Sequence, residues 1–192
     1  VAWVRTNRPA DYNPSVGTNG GIIGRSTDPN VVFTFSQPFN SDQNARLSGW
    51  EFAVQHSFWD TGFGVILNYT IVNSDTSYDN ILPWTTTQFA VPGASDSANA
   101  VAYYDKNGLQ ARVAYNWRAK FLAGYDQDPY YVESYGQVDA SASYEFTKGL
   151  TVFVEGINIL NEDRSGTRRN DRAVFFAAPG YARYAAGVRF SF

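Results

Sequence analysis

The stretch Tyr184–Phe192, with the sequence YAAGVRFSF, alternates in character from one residue to the next. Successive side chains of an extended strand point to opposite faces, so every second residue shares a face. One face would carry Tyr184, Ala186, Val188, Phe190 and Phe192. Terminal residues usually fray, so a pattern sustained to the last residue indicates a strand whose end is held or recognised by another molecule.

The same period of two recurs along most of the chain. In YGQVDASASYEF, residues 135–146, Tyr144 and Phe146 share one face with three smaller apolar residues, and polar residues alternate with them from Asp139 to Glu145. Comparable alternation is found in 49–58, 62–73 and 108–119, and shorter candidate strands cover about 1–7, 98–104, 150–160 and 181–192. The pattern predicts about eight strands of about ten residues, the length that a tilted strand needs to cross a bilayer.

The connections between these strands are short and long in turn. Short Asp, Asn and Gly turns occupy 59–62, 105–108 and 147–149, whereas the long polar connections are 74–97, 119–134 and 161–180. Outer-membrane barrels have short periplasmic turns and longer extracellular loops. Counting back from Phe192 places all the short turns at one end, so we predict an all-β fold, an antiparallel transmembrane β-barrel.

Residues 8–45 do not fit this alternation. The first part is rich in Gly, Asn and Pro, as loops are, and the segment VVFTFSQPF that follows, residues 31–39, alternates like a strand in Val31, Phe33 and Phe35. Counting that segment as a further membrane strand would invert the order of short and long connections. We therefore predict an extracellular loop or arm over 8–45, in which residues 31–39 pair with the strand that begins near Arg46.

The composition excludes several kinds of function. The chain of 192 residues has no Cys and a single His, His56, which rules out thiolate metal sites and most histidine-based catalysis. The net charge of −3 and the lack of a basic run argue against nucleic acid as a partner. A mean hydropathy of −0.33 suits a soluble protein, and it equally suits a barrel whose lipid-facing and lumen-facing residues alternate. We expect no metal, no cofactor and no enzymatic activity.

Several segments together resemble the C-terminal part of a TonB-dependent outer-membrane receptor barrel. They are LSGWEFAVQHSF (47–58), GFGVILNYTIVNSD (62–75), VPGASDSANAVAYYDKNGLQARVAYNWR (91–118), YGQVDASASYEFTKGLTVFVEGINILNED (135–163) and YARYAAGVRFSF (181–192). NILN at 158–161 resembles the family's N-L-x-[ND] near the end of the penultimate strand. The sequence of 92–118 is similar to that of receptors in the proteobacterial branch that the family links to carbohydrate uptake.

This resemblance implies a barrel of about 22 strands around a plug. The eight strands would be its last portion, and the chain contains no Met, as expected of a processed chain or a piece of a larger one. The plug and the N-terminal segment that engages the TonB complex would lie outside this sequence. The implied location is the bacterial outer membrane, in contact with its lipid and lipopolysaccharide. The implied activity is active import of a bulky small-molecule nutrient, with an oligosaccharide favoured and a ferric siderophore or vitamin next.

The last strand resembles the signal recognised by the barrel-assembly machinery. The matching residues are Tyr184, Gly187, Phe190 and Phe192. An edge strand free to pair, with aromatic residues at the membrane interface, would suit such recognition. The alternative is that the aromatic residues simply belong to the interfacial girdle.

Aromatic and arginine residues of the long loops are the candidate ligand contacts. They are Tyr78, Trp84, Tyr125, Tyr130, Tyr131, Arg164, Arg168, Arg169 and Arg172, with Tyr181 as a further aromatic. Aromatic faces suit sugar rings, and guanidinium groups suit anionic ligands, so the two ligand classes are not separated. Alternatively the tyrosines form the outer girdle, and the arginines pair with Asp163 and Asp171 or with lipopolysaccharide phosphates.

For the other charged residues, a structural role is a better prediction than a functional one. The lumen-facing set is Glu51, Arg112, Arg118, Asp139, Glu145, Glu155, Arg183 and Arg189. We expect cross-strand ion pairs among them rather than guidance of a solute or plug. Asp126 and Asp128 would most simply be loop acids, with a divalent cation as the alternative. His56 is expected to be an interfacial ring.

A free-standing eight-stranded barrel, acting as a structural anchor or a small membrane enzyme, is the competing class. Eight strands can close around an interior filled by side chains. No Ser or Asp of the strands is placed to activate a catalytic His56. The mass of the native chain would separate this class from a large receptor.

Overall fold

The computed structural model describes residues 42–83, 86–125 and 128–191 with their side chains, and the backbone of 2–7 and 32–37. The chain divides into two units, Val1–Asn44 and Ala45–Phe192. All regular structure is β-strand apart from one turn of 3-10 helix at Trp59–Thr61 within these ranges. In the described part of the chain, no helix has the length and apolar character needed to cross a membrane.

The described part of the first unit includes one strand pair. Strand β1, Ala2–Asn7, pairs antiparallel with β2, Val32–Gln37, from Ala2 opposite Gln37 to Asn7 opposite Val32. The prediction that this second segment pairs with the strand near Arg46 is therefore wrong. Within the described residues, the strand near Arg46 pairs with the strand that follows it across the 59–62 turn. The alternation of 32–37 predicted a strand but not its partner, because a period of two sets the faces of a strand and not its pairing.

The second unit is built on a seven-stranded antiparallel sheet. Its strands, in chain order, are β3 (Leu47–Ser57), β4 (Phe63–Ser74), β5 (Ser97–Lys106), β6 (Leu109–Arg118), β9 (Tyr135–Thr147), β10 (Leu150–Ile157) and β13 (Arg183–Phe190). Neighbours in this series are neighbours in the sheet, so seven of the eight predicted strands are confirmed with small changes at their ends. The eighth, predicted over about 1–7, is β1 of the first unit and pairs with β2 instead. Within the described residues β3 and β13 are open edges, in contrast to the closed eight-stranded alternative.

The short turns depend on residues that accept a positive φ. Asn107 and Gly108 have φ of 55° and 77°, as required of the two central residues in a tight hairpin turn whose twist matches the strands. Gly62 and Gly149 both have φ of 87°. Because Gly has no Cβ, it adopts this region at no steric cost.

Two of the long connections contain strands of their own. Residues 119–134 include β7 (Phe121–Tyr125) and β8 (Pro129–Val132), and residues 161–180 include β11 (Arg164–Thr167) and β12 (Val174–Ala178). The two hairpins join through β8 and β11 into a four-stranded sheet of order β12-β11-β8-β7. We call it the loop sheet. The predicted loops are thus largely an ordered second sheet.

The two faces of the seven-stranded sheet differ in chemistry. On the apolar face, Trp50, Phe52 and Val113 are 69%, 55% and 50% exposed, and aliphatic and aromatic side chains are exposed on this face from each of the other strands except β5. On the polar face, amide, hydroxyl and charged side chains surround a small buried centre, where Val101 lies opposite Ala114 and each is 3% exposed. The predicted alternation is confirmed, and the fold leaves its apolar residues outside.

Candidate functional site

The polar face carries a row of amide side chains across adjacent strands. Asn68, Asn99, Asn116 and Gln137 are opposite one another in register on β4, β5, β6 and β9. Nδ2 of Asn99 donates to Oδ1 of Asn116 at 2.6 Å, and Nδ2 of Asn68 donates to Oδ1 of Asn99 at 3.5 Å. Within the row Asn99 both donates and accepts, while Gln137 accepts from the hydroxyl of Tyr135 and donates to Asp139. The row gives the middle of this face a hydrogen-bonding character.

The charged residues of this face do not form the predicted ion pairs. In the part of the chain that the structure describes, ion pairs join Lys120 to Glu133, Lys120 to Asp171 and Arg169 to Asp128, all outside the seven-stranded sheet. The register explains this difference, because Arg112 faces Tyr103 and Ser141, and Arg189 faces Thr151. Asp139 instead accepts hydrogen bonds from Nε2 of Gln137 at 2.6 Å and from the backbone N of Asn158 at 2.9 Å.

A cavity of about 420 Å³ lies on the polar face, toward the end with the short turns. Its lining includes Tyr103, Arg112, Phe153, Glu155 and Arg189. It therefore combines aromatic rings with charges of both signs that form no ion pair with any described residue.

Arg169 ties three connections together at the opposite end. Its Nε lies 3.0 Å from Oδ1 of Asp128, and its Nη1 donates to the backbone oxygens of Asn80 (2.8 Å) and Leu82. The hydroxyl of Tyr131 donates to Oδ1 of Asn80 at 3.0 Å. The hydrogen bond to Asp128 raises the pKa of Arg169 above its ordinary value. Arg169 is thus a structural clamp between both hairpins and the 75–96 connection.

Lys120 forms a second clamp. Its Nζ lies 2.9 Å from Oε1 of Glu133 and 2.6 Å from Oδ1 of Asp171. Burial lowers the pKa of Lys120, but hydrogen bonds to Asp171 and Glu133, together with the charges of these acids, outweigh it, so the net pKa is raised. Oγ1 of Thr167 also donates to Glu133 at 2.6 Å. The positive charge of Lys120 is therefore compensated by two acids.

At this end of the molecule, three other arginines stack on aromatic rings. The guanidinium carbon of Arg118 lies 3.8 Å from the ring centre of Phe121, and that of Arg164 lies 4.7 Å from Tyr135. Arg168 lies 4.2 Å from Phe175 and 5.7 Å from Tyr130. These contacts are within the range of cation–π attraction. We call this set of seven residues the arginine–aromatic row: Arg118, Phe121, Tyr130, Tyr135, Arg164, Arg168 and Phe175.

The row joins the polar face to one face of the loop sheet. Arg118 and Tyr135 are opposite each other on the polar face, two residues along their strands from Asn116 and Gln137. Val132 lies opposite both Phe121 and Gly166, and strand alternation puts Tyr130 and Arg164 on that same face. The stacking contacts of Arg118 and Arg164 then connect the two faces.

The predicted ligand residues are distributed over these clamps and the row. The rings of Tyr78 and Tyr125 contact each other at 5.3 Å, and the hydroxyl of Tyr125 donates to the backbone oxygen of Ala90 at 2.8 Å. Tyr131 lies beneath Lys120, Tyr181 is 75% exposed, and Trp84 lies outside the described residues. Arg172 is exposed, and its backbone N donates to Oδ1 of Asn170 at 2.9 Å.

The predicted pairing of arginines with Asp163 and Asp171 is wrong. Asp171 binds Lys120, and Oδ1 of Asp163 accepts from the backbone N of Gly180 at 2.8 Å. Asp128 binds Arg169, while Asp126 lies outside the described residues. Among the residues with described placement, no three acids or histidines are grouped to hold a metal ion.

Sequence reasoning missed Phe121, Phe175 and Lys120 as parts of this end of the molecule. Lys120 and Phe121 lie two and three residues after Arg118, at the end of a strand. Cations this close in sequence to an aromatic residue could have indicated a cation–π contact. Phe175 lies within VFFAA, whose pairing with residues 164–167 is a long-range event. Local sequence offered no signal for that contact.

The residues of the predicted assembly signal lie on different faces of the C-terminal strand. Gly187 faces Phe153, and a Cβ there would lie 2.6 Å from that ring. Tyr184 and Phe190 are 70% and 66% exposed on the apolar face. Phe192 lies outside the described residues.

The NILN turn is closed by asparagine side chains. Asn158, which is 5% exposed, accepts from the backbone N of Glu162 at 2.9 Å and donates to its oxygen at 3.0 Å. Oδ1 of Asn161 accepts from the backbone N of Ala182 at 2.9 Å. Both residues have positive φ, 53° and 57°, which asparagine tolerates better than most. The motif therefore fixes the exit of β10 and the entry of β13.

An open antiparallel sheet with an exposed apolar face and a hydrogen-bonded polar face is the wall of a membrane β-barrel. The family model for TonB dependent receptor-like, beta-barrel proteins matches residues 7–159, which is most of the chain. The chain therefore belongs to this family, which confirms the predicted class and the all-β barrel fold. No curated protein and no solved structure matches the chain.

Proposed function

We propose that this chain forms the C-terminal part of the wall of an outer-membrane transporter that imports a bulky nutrient with energy from the TonB complex. The family is one of outer-membrane transporters rather than enzymes. The plug and the TonB-engaging segment would belong to a preceding part of the same receptor. The 8–45 segment would be an extracellular loop or arm of the barrel.

The contrast between the two sheet faces carries this proposal. Exposed apolar side chains on one face match the lipid-facing band of a barrel, and the amide row on the other matches a wet lumen. Burying the apolar face in hydrocarbon removes it from water, while the polar face keeps its hydrogen bonds. The apolar face would contact outer-membrane lipid, and its outer rim lipopolysaccharide.

We favour an oligosaccharide as the nutrient, with a ferric siderophore or vitamin next. Support comes from the aromatic residues of the two hairpins and from the similarity of 92–118 to carbohydrate-uptake receptors of proteobacteria. The proposed contacts are the loop residues Tyr78, Trp84, Tyr125, Tyr130, Tyr131, Arg164, Arg168, Arg169 and Arg172. Of these, Arg169 would act indirectly, because its donors hold the loops together.

The C-terminal strand would be the part recognised by the barrel-assembly machinery. Within the described residues β13 pairs with β10 alone, so its other edge is open. Phe190 is exposed on the apolar face, where an assembly factor would contact it at the membrane interface. Tyr184, Gly187, Phe190 and Phe192 remain the proposed signal.

Lipid contact can be tested directly in the whole receptor. A fluorescent label at Val113 should be quenched by brominated lipid in reconstituted vesicles, whereas a label at Gln110, on the polar face of the same strand, should not. Equal quenching at both positions would contradict a membrane wall.

Transport can be tested by uptake in cells that do or do not supply the TonB complex. Deleting the receptor gene and deleting TonB should abolish uptake of the same nutrient. Uptake that survives loss of TonB would contradict energy-dependent import.

A further inference from the structure

We propose that the nutrient is an acidic oligosaccharide, a short sugar chain bearing carboxylates, and that the arginine–aromatic row binds it. This inference rests on the proposed function and specifies the substrate class of that transporter. The residues that carry it are Arg118, Arg164 and Arg168 with the rings on which they stack.

The three stacked guanidinium groups keep donors free for a ligand. A guanidinium lying on a ring uses its face for the contact, while its N–H groups point outward in its own plane. Nη2 of Arg118 donates to the backbone oxygen of Gly93 at 2.9 Å, and Nη1 of Arg168 reaches that of Asp128 at 3.5 Å. The remaining donors are suited to bidentate pairing with a carboxylate.

Three acids near the row are already paired with other cations. Asp128 binds Arg169, and Glu133 and Asp171 bind Lys120. Asp96 accepts from the backbone N of Val72 at 2.9 Å, and Asp163 from that of Gly180. Among the described residues, no carboxylate forms an ion pair with Arg118, Arg164 or Arg168. The row therefore has uncompensated positive charge, unlike the two clamps.

The rings give the row its preference for sugars. Phe175 is 47% exposed, and Phe121, Tyr130 and Tyr135 are half-buried, so each presents a fixed apolar surface. Rings of this kind stack on the apolar faces of pyranose units, while the arginines bind groups at their edges. The row extends from the end of β6 to β12, across both sheets. An extended ligand can contact all of it, whereas a compact chelate cannot.

The position of the row favours a soluble ligand over lipid phosphate. Arg118 and Tyr135 lie on the polar face, opposite to the face that bears Val113 and Tyr115. Lipopolysaccharide would surround the apolar face. A ligand approaching along the lumen therefore has access to the row.

The test is a binding measurement on the whole receptor purified in detergent. The probes are a linear hexamer of galacturonate and a neutral galactose hexamer of the same linkage, compared by calorimetry. The wild-type receptor should bind the acidic hexamer at least tenfold more tightly, and added salt should weaken this binding because it screens exposed charges. Equal affinity for both hexamers would overturn the inference.

Single substitutions locate the binding. R164Q and R168Q should each weaken binding of the acidic hexamer about tenfold, the loss expected of one charge-assisted hydrogen-bonded contact. R46Q is the matched control, because Arg46 is an exposed arginine at the same end of the sheet and outside the row. An equal loss in R46Q would show a general charge effect and overturn the assignment.

Two further variants separate stacking from charge. F175L removes the ring beneath Arg168, and R168K keeps the charge but loses the planar fork. Both should weaken acidic binding several-fold while leaving the amount of folded receptor unchanged. Full affinity in both would overturn a role for the stacked geometry.

The failure of this inference can be told apart from failure of the proposed function. TonB-dependent uptake of a neutral sugar or a ferric chelate, without binding of the acidic hexamer, would overturn the acidic substrate and leave the transporter intact. Row variants that lose co-purified lipopolysaccharide but keep their affinity for the acidic hexamer would assign the row to lipid phosphate instead. A chain found outside the membrane would overturn the transporter itself.

Discussion

At the residue scale, individual glycine and arginine positions decide how neighbouring parts fit. Gly187 leaves space for the ring of Phe153, which lies over it on the polar face. Arg169, on one connection, binds a carboxylate of a second and two backbone oxygens of a third. In both cases the requirement is set by a partner distant in sequence.

Gly187→Ala should destabilise the folded receptor by about 1–3 kcal/mol, the usual cost of overpacking. The added Cβ would lie 2.6 Å from the Phe153 ring, so the ring must move. Urea unfolding of the assembled receptor measures this effect. In the Phe153→Ala background, Gly187→Ala should cost much less, since the clash is then absent and the two effects are not additive. Strictly additive effects would contradict a direct steric contact.

Arg169→Lys should loosen residues 80–82 while the rest of the receptor stays folded. Lysine keeps the charge but cannot bind Asp128 and two backbone oxygens in one plane. Hydrogen exchange of these amides should rise about tenfold or more, as expected for loss of a charge-assisted contact. Arg172→Lys is the matched control on the same hairpin and should leave the exchange unchanged. Unaltered exchange in both variants would show that Arg169 is not a clamp.

At the element scale, the loop sheet is the feature that organises the candidate site. Its two hairpins meet at only two register pairs, Gly166 with Val132 and Thr167 with Tyr131. The Lys120 and Arg169 clamps reinforce this narrow junction. The junction places Arg164 and Arg168 next to rings of other strands.

Gly166→Val should separate the hairpins without affecting barrel assembly. Its Cβ would lie 2.3 Å from the Phe176 ring and 2.6 Å from the backbone oxygen of Tyr131, and the backbone cannot move aside cheaply. Hydrogen exchange should increase in β8 and β12, and nutrient binding should fall. Ser165→Val, on the other face of β11, is the control. Normal protection in the Gly166 variant would mean that the junction tolerates a side chain.

At the scale of the whole molecule, stability depends on where each face of the large sheet lies. The sheet has a very small buried centre around Val101 and Ala114, and most of its large apolar residues are exposed. Such a surface is unfavourable in water and favourable against hydrocarbon. The membrane thus supplies the apolar environment that a soluble domain finds in its own core.

Val113→Arg should destabilise the membrane-inserted receptor by about 2–4 kcal/mol if Val113 lies near the bilayer midplane. Gln110→Arg, on the polar face of the same strand, should cost about 1 kcal/mol or less, because a lumen-facing charge stays hydrated. Chemical unfolding in lipid vesicles measures both. A similar cost at the two positions would contradict the assignment of faces.

Much of the fold followed from local pattern. The alternation of Tyr144 and Phe146 with Asp139 and Glu145 predicted both the strand and its faces, and Asn107–Gly108 predicted the hairpin turn. The candidate site was predicted only as a set of loop residues. Its arrangement depends on which hairpins pair, as Gly166 with Val132 shows, and such contacts have no local signature.

By itself, then, the sequence determined the all-β class, the strands of the large sheet and the chemistry of its two faces, because side-chain alternation is a property of each strand alone. Only the tertiary structure decided the rest. It paired residues 32–37 with β1, gave Arg112 and Arg189 no carboxylate partner among the described residues, and set Arg169 in a clamp but Arg168 on a ring. The physical reason is that these outcomes depend on register and on contacts between distant segments, which form only when the sheets assemble.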